Sequence, residues 1–323
     1  MYRLLLTGAV LIISPVLSAG VPSSEVDRNR ITVSGISAGA QMAHQLHIAY
    51  PDIFSGAGLI AGGPFGCAGG SLSTAISSCM GSVKKEQPLA EYVLQIKTAA
   101  EQGRIGDTSA LSDDRVWVFH GTQDSTVAAE LSDATVALYS QFISPGNIQF
   151  VNDLETGHNF PTSNNGTDCD ATESPFIGNC NYDAAGILLQ QLYGDLEPRQ
   201  TELKTELSKT TLIGAVAAGL DKTAYLFIPG ECALNDAACR THLVLHGCAQ
   251  SASQIDTVFM EQSGYLEWAE SNKIVLAFPQ VVSAPANPYA CWDWWGYTGD
   301  SYRWRDGLQM TVLANWLQDL TNR

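Results

Sequence analysis

Short runs rich in β-branched and aromatic residues alternate with helical segments along almost the whole chain, and this alternation limits the fold more than any other feature. The segments "RITVSG", "FSGAGLIAGGP", "RVWVFHG", "NIQFVND", "TAYLFIP", "THLVLHG" and "IVLAFPQ" read as strands. Between and after them, "AGAQMAHQLHIAYP", "PLAEYVLQIKTAAEQG", "TVAAELSDATVALYSQF", "DAAGILLQQLYG", "GYLEWAESNK" and "DGLQMTVLANWLQDL" read as helices, the first stopped before Pro51 and the second at Gly103. Repeated strand–helix units predict an α/β fold, with a mostly parallel central sheet flanked by helices on both faces. A long polar loop spans residues 157–182. The charged stretch "EPRQTELKTELSKTTL" resembles a domain linker, but the alternation resumes beyond it, so it reads as a surface excursion.

The length of 323 residues allows one large α/β domain or two modest ones, and 45% hydrophobic against 15% charged residues supports a sizeable core. The resumed alternation favours one domain, residues 21–323. The formal charge of −16 argues against nucleic acid and anionic membrane surfaces and suits a neutral or insoluble substrate. Residues 1–20 read as a secretory signal: Arg3, then an apolar run, then the small residues Ser18, Ala19 and Gly20. No later stretch is long and apolar enough to span a bilayer, so no membrane contact is expected after signal cleavage.

Eight cysteines suit an exported chain: Cys67/Cys79, Cys169/Cys180, Cys232/Cys239, then Cys248 and Cys291. Eight cysteines allow 105 connectivities. Three neighbour pairs and one long bridge, Cys248–Cys291, is the simplest of them. There is no C-x-x-C, and no His/carboxylate cluster has ligand spacing, so neither metal nor cofactor is expected.

In "ITVSGISAGAQMAHQL" a strand meets Gly35-Ile36-Ser37-Ala38-Gly39 and a helix follows at once, the context a nucleophile elbow requires. A serine on so sharp a turn needs neighbours without bulk, which Gly35 and Gly39 supply. The order Ser, Asp/Glu, His of α/β hydrolases places the base in a loop past the last strand, and His158 in "LETGHNFP" stands there. His44 and His47 lie one turn apart on the helix after the elbow and read as surface or core fillers. His120 ends a strand and His242 begins one. Asp124, in the turn of "GTQDSTV" after a strand, is the favoured acid, although it also suits a helix cap. Asp153 and Glu155 are rivals in the histidine's own loop region. In these roles Ser37 attacks a carbonyl, His158 moves the proton and Asp124 holds the imidazole.

An oxyanion hole needs the N–H after the nucleophile, Ala38, and a second N–H from a His-Gly loop. That loop appears late, at His246-Gly247-Cys248, which makes Cys248 the second donor. The elements after it are those that would normally lead into the elbow strand. This order predicts a circularly permuted α/β-hydrolase fold whose last helix ends near the start of "RITVSG". Nearby termini make such a permutation physically cheap.

The set Gly-Ile-Ser-Ala-Gly, "AGGPFGCA", "GTQDSTV", "GHNFPT", "GNCNYDAAG", "LHGCAQ", "QSGYLEWAESN" and "CWDWWGY" resembles the fungal and bacterial single-domain poly(3-hydroxybutyrate) depolymerases, from about Ile31 onward. The resemblance implies a secreted serine esterase that cleaves polyhydroxyalkanoate or its oligomers. By it Ser37, Asp124 and His158 match the triad, the N–H groups of Ala38 and Cys248 match the oxyanion hole, and the eight cysteines match four bridges. Two positions depart from the fungal pattern: Ala38 stands where those members carry serine, and Tyr297 where they carry a surface tryptophan. The aromatics Trp292, Trp294, Trp295, Tyr297, Tyr302 and Trp304 suit either a polyester grip or a core around a bridge, with Trp292 and Trp294 leaning to core. Trp295, Tyr297 and Trp304 are the expected substrate contacts. The partner expected is the polyester or an oligoester, met by a monomer. Rival readings are an esterase for soluble or plant-wall feruloyl and acetyl esters, and a silent hydrolase fold used for binding. Asn165-Gly166-Thr167 is a glycosylation sequon.

Overall fold

The structure, a computed structural model, describes residues 26–81, 88–233 and 239–321. The signal read at residues 1–20 lies outside them. Strands β1 (Val26–Ile36), β2 (Phe54–Ile60), β3 (Arg115–Phe119) and β4 (Ile148–Val151) come first; β5 (Phe160–Thr162), β6 (Thr167–Asp168) and β7 (Ile177–Asn179) form a small separate sheet. β8 (Ser208–Thr211), β9 (Thr223–Phe227), β10 (Cys239–Leu245) and β11 (Ile274–Phe278) complete the main sheet. Its order is β4-β3-β2-β1-β10-β11-β9-β8. Every pair is parallel except β9, which runs antiparallel to both β11 and β8.

β1 and β10 are far apart in sequence yet pair in register, Gly35 opposite Leu245. The half of the sheet that would normally precede the elbow strand, β8 to β11, therefore follows it in the chain. This is the circularly permuted α/β-hydrolase order that the late His-Gly loop predicts. The last helix, Leu308–Thr321, packs against β1 and against the helix after the elbow, which brings the end of the described chain back to the elbow strand.

That elbow helix, α1 (Ala38–Ala49), is buried along all of its residues. It has no solvent face, so its polar side chains need protein partners. His44 Nδ1 meets the carbonyl of Gly63 at 3.1 Å, Gln45 donates to the carbonyl of Asp293, and His47 bridges Tyr139 and Asp114 at 3.0 Å each. Both helix histidines are core residues. Burying Met42, Leu46 and Ile48 beside them contributes roughly 1.5–3 kcal/mol per side chain.

His242 lies within β10 rather than at its start, with its ring between the hydroxyls of Thr32 and Ser34, each at 2.7 Å. The charged excursion is strapped across the helix Tyr265–Asn272. Gln200 N–H donates to the Glu267 carbonyl and Thr205 to the Glu270 carboxylate, before the chain enters β8. The bridges are Cys67–Cys79, Cys169–Cys180, Cys232–Cys239 and Cys248–Cys291. Among the described residues no helix is long and apolar enough to cross a membrane, and no cluster of side chains suits a metal ion.

Candidate active site

β1 delivers Ser37 at its carboxyl end, with φ 56° and ψ −121°. A non-glycine residue there is strained, and the surroundings must hold it. The Ser37 N–H donates to the carbonyl of Ile60, and its own carbonyl accepts the Gln41 N–H. The two flanking glycines are compulsory for a visible reason. A Cβ on Gly35 would strike the backbone of Gly39, and one on Gly39 would strike the carbonyls of Leu245 and His246. The elbow thus fits only where β1, α1 and the end of β10 touch backbone to backbone.

Asp124 sits in the turn after β3. Its Oδ1 accepts the N–H groups of Thr126 and Val127 at 2.8 and 3.0 Å, and its Oδ2 meets His158 Nδ1 at 2.7 Å. It is a cap and a partner to the histidine at once. Burial opposes its ionisation, but the hydrogen bond and charge of His158, with the two backbone donors, outweigh burial and hold the carboxyl below its ordinary value. Asp153 and Glu155, the rivals, are exposed.

The two loops are lashed together. Thr122 N–H and Gln123 N–H donate to the carbonyls of Leu154 and Thr156, and Gly121 leaves no room for a Cβ against Thr156. His158 is braced from behind, its N–H donating to Thr172 Oγ1 at 2.9 Å. Asn159 Nδ2 donates to the carbonyls of Cys169 and Ala171, in the loop closed by Cys169–Cys180.

Ser37 faces two adjoining cavities. The smaller, about 230 Å³, is shared with His158, Thr172, Phe176, Cys248 and Gln250. The larger, about 380 Å³, is lined by Leu72, Ile76, Met80, Tyr289, Trp294 and Trp295, with Ala38 and the bridge Cys248–Cys291 at its floor. Ala38 opens α1, where first-turn N–H groups have no partner inside the helix. Ser37, Ala38, His158 and Cys248 therefore all border one continuous, largely apolar cleft.

The structure places the three expected aromatic contacts differently. Trp295 lines the larger cavity, but Tyr297 and Trp304 do not. Tyr297 turns inward: its hydroxyl donates to the Cys291 carbonyl and accepts from Gln309, and its ring lies 4.9 Å from that of Trp295. Trp304 is clamped between the guanidinium groups of Arg104 and Arg303, 4.3 and 4.6 Å from its ring, and packs on Phe65. Trp294, which leans to the core in the sequence, is buried in the core and also lines the cavity.

Sequence reasoning also missed Asp293. This carboxylate is fully buried and forms no ion pair among the described residues. Its Oδ1 accepts the N–H groups of Gly296 and Tyr297, and its Oδ2 accepts the N–H and hydroxyl of Thr298. Four donors replace the lost water and fold the loop that presents Trp294 and Trp295. The available signal was an aspartate set among aromatics and followed by Gly296. The cleft-rim residues Leu72 and Ile76 sit on a short helix, Leu72–Ser78, which buries only Ala75 and so shows no apolar stripe.

Comparison with known proteins follows the same lines. The family described as Esterase PHB depolymerase matches residues 7–153. The chain is 36% identical over 303 residues to a poly(3-hydroxybutyrate) depolymerase of Delftia acidovorans, covering 92% of this chain and 60% of that protein. It is 32% identical over 326 residues to a polyhydroxybutyrate depolymerase of Talaromyces funiculosus, covering 95% and 94%. A crystal structure of PHB depolymerase from Penicillium funiculosum superposes with a TM-score of 0.87 at 31% identity, covering 94% of this chain and 98% of that one. A serine-to-alanine variant of PHB depolymerase, complexed with R3HB trimer, superposes equally well.

Proposed function

The chain belongs to the PHB depolymerase family of serine esterases, and from that premise we propose that it is secreted and hydrolyses the ester bonds of poly(3-hydroxybutyrate), related short-chain polyhydroxyalkanoates or their oligomers. The observation that carries this reading is the opening of the Ser37 elbow and of His158, held by Asp124, onto one apolar cleft. An ester segment of a neutral aliphatic polyester loses little by entering a cleft walled by Leu72, Ile76, Trp294 and Trp295.

The steps that this reading assigns are these. Ser37 Oγ attacks the ester carbonyl while His158 Nε2 takes its proton, and Asp124 fixes the imidazole through Nδ1. The N–H groups of Ala38 and Cys248 stabilise the charge on the former carbonyl oxygen. His158 returns the proton to the leaving alcohol, which exits as the hydroxyl end of one fragment. Water then attacks the acyl-serine and gives a proton to His158, His158 returns that proton to Ser37 Oγ as the bond from Oγ to the acyl carbon breaks, and the second fragment leaves with a carboxyl group. In this reading residues 1–20 are a signal removed on export, residues 21–323 are one catalytic domain, and the protein acts as a monomer without metal or cofactor.

The test is clearing of a poly(3-hydroxybutyrate) granule suspension by the purified mature protein, run beside Ser37→Ala, a short-chain nitrophenyl ester and a feruloyl ester. Clearing that disappears in Ser37→Ala is the expected result. Ester cleavage without clearing, or faster turnover of the feruloyl ester than release of hydroxybutyrate units, would overturn the polyester assignment.

A further inference from the structure

The peptide unit between Gly247 and Cys248 carries the Cys248 N–H on one side and the Gly247 carbonyl on the other. In a trans amide the two point in opposite directions. Whatever grips the carbonyl therefore aims the N–H. The group that grips it is the preceding side chain: His246 Nδ1 lies 2.7 Å from the Gly247 oxygen.

The tautomer is fixed by the other nitrogen. The backbone N–H of Val281 donates to His246 Nε2 at 3.3 Å, so Nε2 is the acceptor and the ring proton sits on Nδ1, facing a carbonyl that can only accept. The ring is 1% exposed, and burial keeps it neutral, with its pKa pushed down to about 4. It leans on Trp292, ring centres 5.3 Å apart, and Trp292 Nε1 donates back to the His246 carbonyl at 2.9 Å. The next residue before Trp292 is Cys291, bridged to Cys248. The far side of the turn is held as well: Gly247 N–H donates to Gln250 Oε1 at 2.7 Å.

We infer that His246 is a positioning residue for the esterase reaction: through the Gly247 carbonyl it aims and polarises the Cys248 N–H toward the oxyanion. The inference rests on the serine-esterase reading above, in which that N–H is the second oxyanion donor. A hydrogen bond accepted by an amide carbonyl draws density from the same amide and strengthens its N–H as a donor. A donor already locked in place needs no reorganisation when charge develops on the substrate oxygen. Because that charge is full only near the tetrahedral intermediate, the effect belongs to kcat rather than KM.

The experiment compares His246→Asn, His246→Gln and His246→Ala on a soluble nitrophenyl ester. Asparagine places its amide nitrogen near the position of Nδ1, whereas glutamine reaches the position of Nε2. The expected result is a loss of about 10- to 100-fold in kcat for the Gln and Ala variants, with KM nearly unchanged. His246→Asn should retain most of the activity. Affinity for an alkylboronic acid, whose tetrahedral adduct places an oxygen in the same hole, should fall in parallel with kcat. A packing role alone predicts the opposite order, since glutamine is nearer to histidine in length. If thermal melts show that His246→Ala does not fold, the Asn and Gln pair decides. Equal kcat in those two, or a loss confined to KM, would overturn the inference. Fluorophosphonate labelling separates the failures: no label on Ser37 in the wild type would remove the esterase reading itself, whereas normal labelling with a flat His246 series would remove only this inference.

Discussion

On one side of Ser37 the cleft is built by the first half of the chain: loops after β3 and β4 meet, tied by backbone hydrogen bonds and by the 2.7 Å contact between Asp124 and His158. On the other side it is built by the second half: the turn after β10 and the loop from Cys291 onward, joined by a disulfide and folded around the buried Asp293. In the proposed reaction the first side holds the groups that move a proton, while the second adds the Cys248 N–H and the aromatics Trp294 and Trp295 to an apolar wall that Leu72 and Ile76 of the first half share. Permutation of the chain puts the proton-moving groups and the Cys248 turn in opposite halves of the sequence, while β1 and β10 pair in register so that both sides still open onto the same serine. Changes on the first side should stop chemistry; changes on the second should alter substrate grip, fold stability or the fine placement of a donor.

The largest effects test the proton-moving side. Ser37→Ala or His158→Ala should lower kcat by about 10⁶, and Asp124→Asn by about 10⁴ because the imidazole loses its orienting partner. Thermal melts should stay close to wild type for Ser37→Ala. A tenfold loss for Ser37 or His158 would mean that the two sides are not divided as described. Across the cleft, Asp293→Asn should destabilise the fold by about 2–4 kcal/mol, read from urea melts, since an amide cannot accept from all four donors that now surround the carboxylate. An unchanged melt would show that the carboxylate is not what folds that loop.

Acid should unfold the core before it reaches the bridges. Burial lowers His44 and His242 to about 3 and His246 to about 4. These groups stay neutral in the fold while the unfolded chain takes up protons near pH 6.5. Their stabilising share is therefore complete above about pH 6.5 and is lost as pH falls toward the folded values. At pH 5 each costs about 2 kcal/mol. Melting temperatures at pH 7 and pH 5 check this; an equal or higher value at pH 5 would contradict it. Trp295→Ala should raise KM about tenfold for oligoesters, from loss of roughly 50 Å² of apolar contact at about 25 cal/mol per Å². Tyr297→Phe should be the mildest change, costing about 1 kcal/mol of stability with KM unaltered, because its hydroxyl serves Cys291 and Gln309 rather than the cleft. A KM effect of Tyr297→Phe as large as that of Trp295→Ala would return Tyr297 to the cleft wall.

The proton-moving side was legible in the sequence because local rules fix it. Gly35 and Gly39 mark the close backbone approach around Ser37, and Asp124 and His158 each follow a strand end. The main strands and helices, and the permuted order, followed from period and motif order. The second side was less legible. An aromatic in a glycine-rich loop looks the same whether it faces a cavity, as Trp294 does, or two guanidinium groups, as Trp304 does. The small sheet β5 to β7 has strands of two or three residues, too short to show alternation, and the helix Leu72–Ser78 buries too little to show a stripe.

The most direct test of the central claim is mass-spectrometric mapping of a fluorophosphonate adduct on the purified protein. The account predicts one adduct, on the peptide that contains Ser37, lost in Ser37→Ala and strongly slowed in His158→Ala. An adduct on another residue, or one that forms at the wild-type rate without His158, would contradict it.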